Sequence, residues 1–137
     1  MARDLIHHQV RRALEKEGWV ITDDPFRLNA NGVNLEIDIG AERVIAAQKG
    51  EEKIFIEIKT LNQRSILYAF YAAFGQYICY RDAIEENDMD NPLFLAIPLS
   101  AFKRIEENEF ILNRLSKHGI RAVIVDTTSE KITKWIK

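Results

Sequence analysis

The sequence predicts a mixed α/β fold, a β-sheet flanked by helices, in one domain spanning residues 1–137. Three observations predict it. Apolar residues recur at helical spacing in three long segments. Short runs such as IFIEI, FLAIP and RAVIVD are apolar at successive positions, as strands covered on both faces are. The segments follow one another as α-β-β-β-β-α-β-α-β-β, which describes a mixed sheet and not a regularly alternating parallel one. Hydrophobic residues make up 47% of the 137, enough for a real core.

The first segment, RDLIHHQVRRALEKEG, places Leu5, Ile6, Val10, Ala13 and Leu14 on one helical stripe, with Gly18 positioned to end the helix. WVIT is a short strand closed by the polar Asp23-Asp24-Pro25 turn. Asn29-Ala30-Asn31-Gly32 reads as a hairpin turn. VNLEIDIG then alternates, with Val33, Leu35, Ile37 and Ile39 on one face and Asn34, Glu36 and Asp38 on the other. RVIAAQ and KIFIEIK form a hairpin folded about Gly50 and Glu51. The longest helix runs from about Ser65 to Glu86 and is apolar around most of its circumference, which predicts cover on more than one side. FLAIP is a buried strand. Ser100 is the expected cap of a single helix running through RIEENEFILNRLSKHG to Gly119. IRAVIVD and KITKWIK supply the last two strands.

Composition excludes several classes of function. Net charge is −2 with 29% charged residues, so no global basic field announces nucleic acid. The single cysteine, Cys79, can form neither an internal disulfide nor a thiolate metal cage, and its place in an apolar helix predicts that it is packed. There is no signal-peptide core and no apolar run long enough to span a bilayer, which points to a soluble, cytoplasmic protein without a membrane partner. Neither a phosphate-binding glycine loop nor a dinucleotide fingerprint is present.

IFIEIKT raises the functional question. Ile54, Ile56 and Ile58 alternate with Phe55, Glu57 and Lys59, so the two charges leave an apolar strand on the same side. Charges go inside only when paired or bound to a metal. A carboxylate and a lysine at a strand end, joined by a second acid from a neighbouring strand, are the parts that metal-assisted phosphodiester cleavage uses. Mg²⁺ (or Mn²⁺) takes one or two carboxylates and keeps open positions for water and phosphate. The lysine orients the water and offsets charge in the transition state. The second acid is Asp38 or Glu42. The hairpin register sets position 42 opposite 59, which favours Glu42, whereas the shorter side chain usual at such sites favours Asp38, which ranks first. The ordinary alternative is a same-face ion pair on a half-exposed strand.

The long helix adds Gln76 and Tyr80, four apart and therefore on one face, preceded by Ala69, Ala72 and Ala73 as a small-residue track toward the sheet. Gln76 would contact a phosphate or a metal-bound water, and Tyr80 the substrate. Core filling is the competing account of both. Arg11, Arg12, Arg64 and Arg81 are candidate phosphate contacts that charged, solvated helix faces also explain. Trp19 and Trp135 read as core or interface. The aromatic Ile66–Tyr80 segment leaves room for a homodimer.

Together these residues resemble the PD-(D/E)XK, restriction-endonuclease-like superfamily. IEIK matches its E-x-K element, Asp38 or Glu42 stands for the first acid, and QYICY is similar to the Q-x-x-x-Y helix motif of the RecB-like branch. A closer resemblance spans nearly the whole chain. The H-x-x-V-x-x-A-L-x-x-x-G-W pattern from His7 to Trp19, then DIGAE, VIAA, IEIK, GQYICY, LAIPL and KWIK, look like the XisH family of fdxN-element excision controlling factors. That resemblance implies an endonuclease-like fold, DNA as partner, and a role in programmed DNA rearrangement in cyanobacteria beside a XisI-type protein. The candidate catalytic residues are Asp38, Glu57, Lys59 and Gln76, with metal ligands among Asp38, Glu57 and Glu42. Tyr80, His7 and Arg64 are the candidate substrate contacts. Two departures stand out: no proline precedes Asp38, and the first helix offers His7, His8 and Glu15 where many superfamily members have an acid facing the site.

Overall fold

The computed structural model, which describes residues 2–35 and 44–137, begins with helix α1 (Ala2–Lys16) and strand β1 (Val20–Asp23). A small hairpin follows, β2 (Leu28–Ala30) and β3 (Val33–Leu35), which among the described residues pair only with each other. Its two-residue turn is Asn31-Gly32, with φ of 53° and 78°. Both values lie in the left-handed region that Asn and Gly tolerate, which makes this dipeptide the standard two-residue hairpin turn. Val33, on the apolar face of VNLEIDIG, is exposed, because the hairpin stands outside the main sheet. Ile37, Asp38, Ile39 and Glu42 lie outside the described residues.

Strand β4 (Val44–Lys49) and strand β5 (Glu52–Ile58) form the hairpin about Gly50, in continuous register from Lys49↔Glu52 to Val44↔Glu57. Helix α2 (Ile66–Glu86) starts where Ser65 accepts the Tyr68 N–H at 3.3 Å. Strand β6 (Leu93–Pro98) then pairs parallel with β5. After it come α3 (Leu99–Glu106), α4 (Glu109–Lys117), β7 (Arg121–Asp126) and β8 (Lys131–Ile136). The six-stranded sheet runs β1-β4-β5-β6-β7-β8, with β5, β6 and β7 parallel and the other pairings antiparallel. This is the mixed α/β sheet that the element order predicts.

The single helix expected after β6 is two helices. Pro98, not Ser100, precedes the first, and Asn108 caps the second by accepting the Ile111 N–H at 3.1 Å. The reason lies in the apolar spacing. Ala101, Phe102 and Ile105 face the core, but the next buried residue is Ile111. Six positions is off the three-or-four step, so an unbroken helix would turn Ile111 away from the core.

Helices cover both faces. Ile6, Val10, Ala13 and Leu14 of α1 pack on Ile45, Ile54, Ile56, Ile58, Val123 and Val125. On the other face Phe70 and Tyr77 of α2, Phe102 of α3 and Ile111 of α4 pack on Phe55, Leu93, Leu95 and Ile124. Each aliphatic chain so buried stabilises the fold by roughly 1.5–3 kcal/mol. The even positions of β5 therefore serve the α1 layer, and Phe55 and Glu57 point into the α2 layer.

Candidate functional site

Glu57 lies in the middle of the sheet, flanked by Val44 on β4 and Leu95 on β6. It is 0% exposed and Lys59 only 3%, so the half-exposed surface pair is not what forms here. Strand alternation sends both into the α2 layer. There the Lys59 ammonium lies 3.6 Å from Glu57 Oε2 and donates a hydrogen bond to Gln76 Oε1. Lys59 is thus held between a strand carboxylate and a helix amide, while its own N–H donates to the Ala96 carbonyl at 3.1 Å. Taking two charges out of water costs several kcal/mol per ion, so the arrangement is not an economical way to fill a core.

Gln76 and Tyr80 both turn inward, as residues four apart on a helix should. Gln76 meets Lys59, whereas Tyr80 is buried among the apolar residues of the core. Ala69 and Ala73 are buried as a track toward the sheet, but Ala72 is exposed. The outer face of α2 is open to solvent: Tyr68 is 73% and Tyr71 48% exposed. Cys79 lies on that face, exposed and not packed as its apolar context suggested. The sequence shows that α2 is apolar all round; it does not show that only one side is covered.

His7 is neither solvated nor beside Lys59. It is 5% exposed and its Nε2 lies 2.7 Å from Asp24 Oδ2, which also accepts from Arg11 at 2.7 Å. That cluster belongs to α1, which covers the sheet face opposite Glu57. Arg12 pairs with Glu130, and Arg81 donates to the His118 carbonyl at 2.7 Å. Arg64 is exposed on the loop from Lys59 to α2.

Two residues that the sequence did not single out shape the surroundings. Arg104 of α3 donates to the carbonyls of Gln63 at 3.1 Å and Arg64 at 2.9 Å, clamping the loop that follows Lys59. Tyr77, 0% exposed, donates to the Leu93 carbonyl at 2.7 Å and accepts from the Arg121 N–H at 3.2 Å. It pins α2 to the starts of β6 and β7. An arginine on the charged face of a helix and a tyrosine in an aromatic run carry no local signal of these roles.

Of the metal-ligand candidates, Glu57 lies among the described residues, and Asp38 and Glu42 fall outside them. Among the described residues no group of three or more His, Cys, Asp or Glu side chains gathers to hold an ion. Glu57 supplies the hard oxygen donors that Mg²⁺ or Mn²⁺ prefers, and Mg²⁺ needs only one or two protein carboxylates. Its donor chemistry fits such a cation. No described helix is long and apolar enough to cross a membrane.

A family model described as XisH protein matches residues 1–133. The chain belongs to the XisH family. Solved structures agree with that membership. An XisH family protein from Nostoc punctiforme PCC 73102 is 35% identical, with 98% of this chain and 100% of that one covered at a TM-score of 0.88. A fdxN element excision controlling factor protein from Anabaena variabilis is also 35% identical, with 98% and 99% covered at a TM-score of 0.88. No curated protein matches the chain. At that overlap the six-stranded mixed sheet and its flanking helices match the fold of those XisH structures.

Proposed function

We propose that this protein controls the excision of a DNA element and does so through a PD-(D/E)XK-type, Mg²⁺-dependent phosphodiesterase site built on Glu57, Lys59 and Gln76. The name of the Anabaena variabilis relative supports the first part. One observation supports the second: a carboxylate and an ammonium buried together 3.6 Å apart, with a helix glutamine fixing the ammonium. Glu57 would hold the cation together with Asp38 or Glu42. When bound, the cation would acidify a water and offset phosphate charge. Lys59 would orient that water and stabilise the charge that builds on the phosphate in the transition state, and Gln76 would set the Lys59 rotamer. Tyr80 would stiffen the helix turn after Gln76, and Arg64 would meet the DNA backbone. His7 takes no part, since its ring is committed to Asp24 in the α1 layer.

A second reading is favoured by the complete burial of Glu57, which solvent does not reach. In that reading the fold is a non-catalytic DNA- or protein-binding factor that licenses a separate recombinase together with a XisI-type partner. One experiment separates the two. Purified protein, with and without such a partner, is incubated with duplex, single-stranded and junction DNA in Mg²⁺ or Mn²⁺. The nuclease reading expects nicks that Lys59→Ala and Gln76→Ala abolish while DNA binding persists. Intact DNA in every condition, with binding retained, rules out the nuclease and leaves the licensing factor.

A further inference from the structure

At the end of the sheet away from Lys59, a cleft of about 630 Å³ opens between the α1–β1 loop, the β4–β5 turn, the starts of β6 and β7, and the end of β8. Small-ligand sites fall at roughly 300–1,000 Å³ and combine apolar walls with a few polar groups. The walls here are aromatic. Trp19, Phe94 and Trp135 line the cleft, with the Trp135 ring centroid 5.9 Å from that of Trp19 and 5.1 Å from that of Phe94. The rim is cationic, with Lys49, Arg121 and Lys137 against two carboxylates.

The state of those charges points to a ligand. Glu17 is engaged, accepting the Trp135 indole N–H at 3.1 Å. The side chains of Lys49 and Arg121 make no ion pair or hydrogen bond among the described residues, and the Lys137 ammonium rests 5.8 Å over the Trp135 ring. Glu52 faces the same space. A purely apolar ligand would leave the cations unused, and a bare anion would leave the rings unused.

We infer that this cleft binds a nucleotide, its base against the Trp135 wall and its phosphate on Arg121 and Lys49. Flat bases stack on aromatic side chains for about 1–3 kcal/mol each, and Arg and Lys supply the matching cations for phosphate. Glu52 is placed to accept from a base amino group. The site is at the opposite end of β5 from Glu57 and does not depend on the nuclease reading. The same chemistry could arrive as a free nucleotide or as the phosphorylated end of a single strand.

Both tryptophans of the chain line the cleft, so their emission reports its occupancy. The full chain is titrated with adenosine 5′-monophosphate, adenosine, inorganic phosphate and a 5′-phosphorylated single-stranded oligodeoxynucleotide. Saturable quenching is expected with the monophosphate, roughly tenfold weaker with adenosine, which lacks the charged contact, and with phosphate, which lacks the stacked base. Arg121→Gln and, separately, the exposed Lys49→Gln should each weaken it several-fold. Lys103→Gln, exposed on α3 and close to Asp126 at the other end of β7, should leave it unchanged. Quenching by the monophosphate alone assigns a free nucleotide; quenching by the oligonucleotide as well assigns a strand end. The absence of a saturable response to either, equal affinity for adenosine and its monophosphate, or a response indifferent to Lys49→Gln overturns the inference.

Discussion

Replacing Lys59 by methionine tests the central contact, because it keeps the length of the side chain and removes its charge. The ammonium is 3.6 Å from a carboxylate that is 0% exposed. At an effective dielectric constant of about 20, unit charges at that separation of 3.6 Å attract by about 4–5 kcal/mol. Desolvation of both ions cancels much of this in the native protein, yet removing one member of a buried pair still costs about 3–5 kcal/mol. Lys59→Met should therefore lose about 3 kcal/mol or more in urea unfolding followed by tryptophan emission, with an unchanged denaturant slope. The Glu57→Gln/Lys59→Met double variant removes both charges and should recover most of that loss, giving a coupling of about 2–3 kcal/mol in the double-mutant cycle. A single-variant cost below about 1 kcal/mol would match an exposed ion pair and refute the burial argument.

Three further outcomes follow from other contacts. Tyr77→Phe leaves the Leu93 carbonyl and the Arg121 N–H without their shared hydroxyl, so it should cost about 1–3 kcal/mol in the same urea assay and raise amide exchange at Arg121. Asn108→Ala removes the cap of α4 and should cost about 1 kcal/mol, with loss of exchange protection confined to the first turn of that helix. The hydrogen bond from Arg12, then its charge and that of Lys16, hold the Glu130 carboxyl below its ordinary value. A depressed folded value means that the unfolded chain binds the proton more readily. This contribution to stability is thus present above the unfolded carboxyl pKa and is lost as pH falls through the folded one. NMR titration of Glu130 should show its midpoint rising in Arg12→Gln; equal midpoints would remove the pair from the account.

Much of the site's local geometry was legible in the chain. The alternation in IFIEIKT turns Glu57 and Lys59 to one side, and the pairing of β4 with β5 follows the register expected from a turn at Gly50 and Glu51. Ser65 begins α2 where its side chain can cap. These features depend on backbone periods and turn chemistry, which neighbouring residues set among themselves. The break between α3 and α4 was legible too, in the six-residue step from Ile105 to Ile111, but it is easily read through because no glycine or proline marks it.

By itself, then, the sequence determined the family, the strands and helices of the mixed sheet, and the side of β5 on which the charges emerge. Only the tertiary structure decided which of those sides is covered. It buried Glu57 and Lys59, set Gln76 against the lysine, exposed Cys79, and drew His7 into the opposite layer with Asp24. The physical reason is that periodicity tells a side chain its direction, whereas burial and partnership depend on which distant layer packs over it, and that is settled only when the helices close on the sheet.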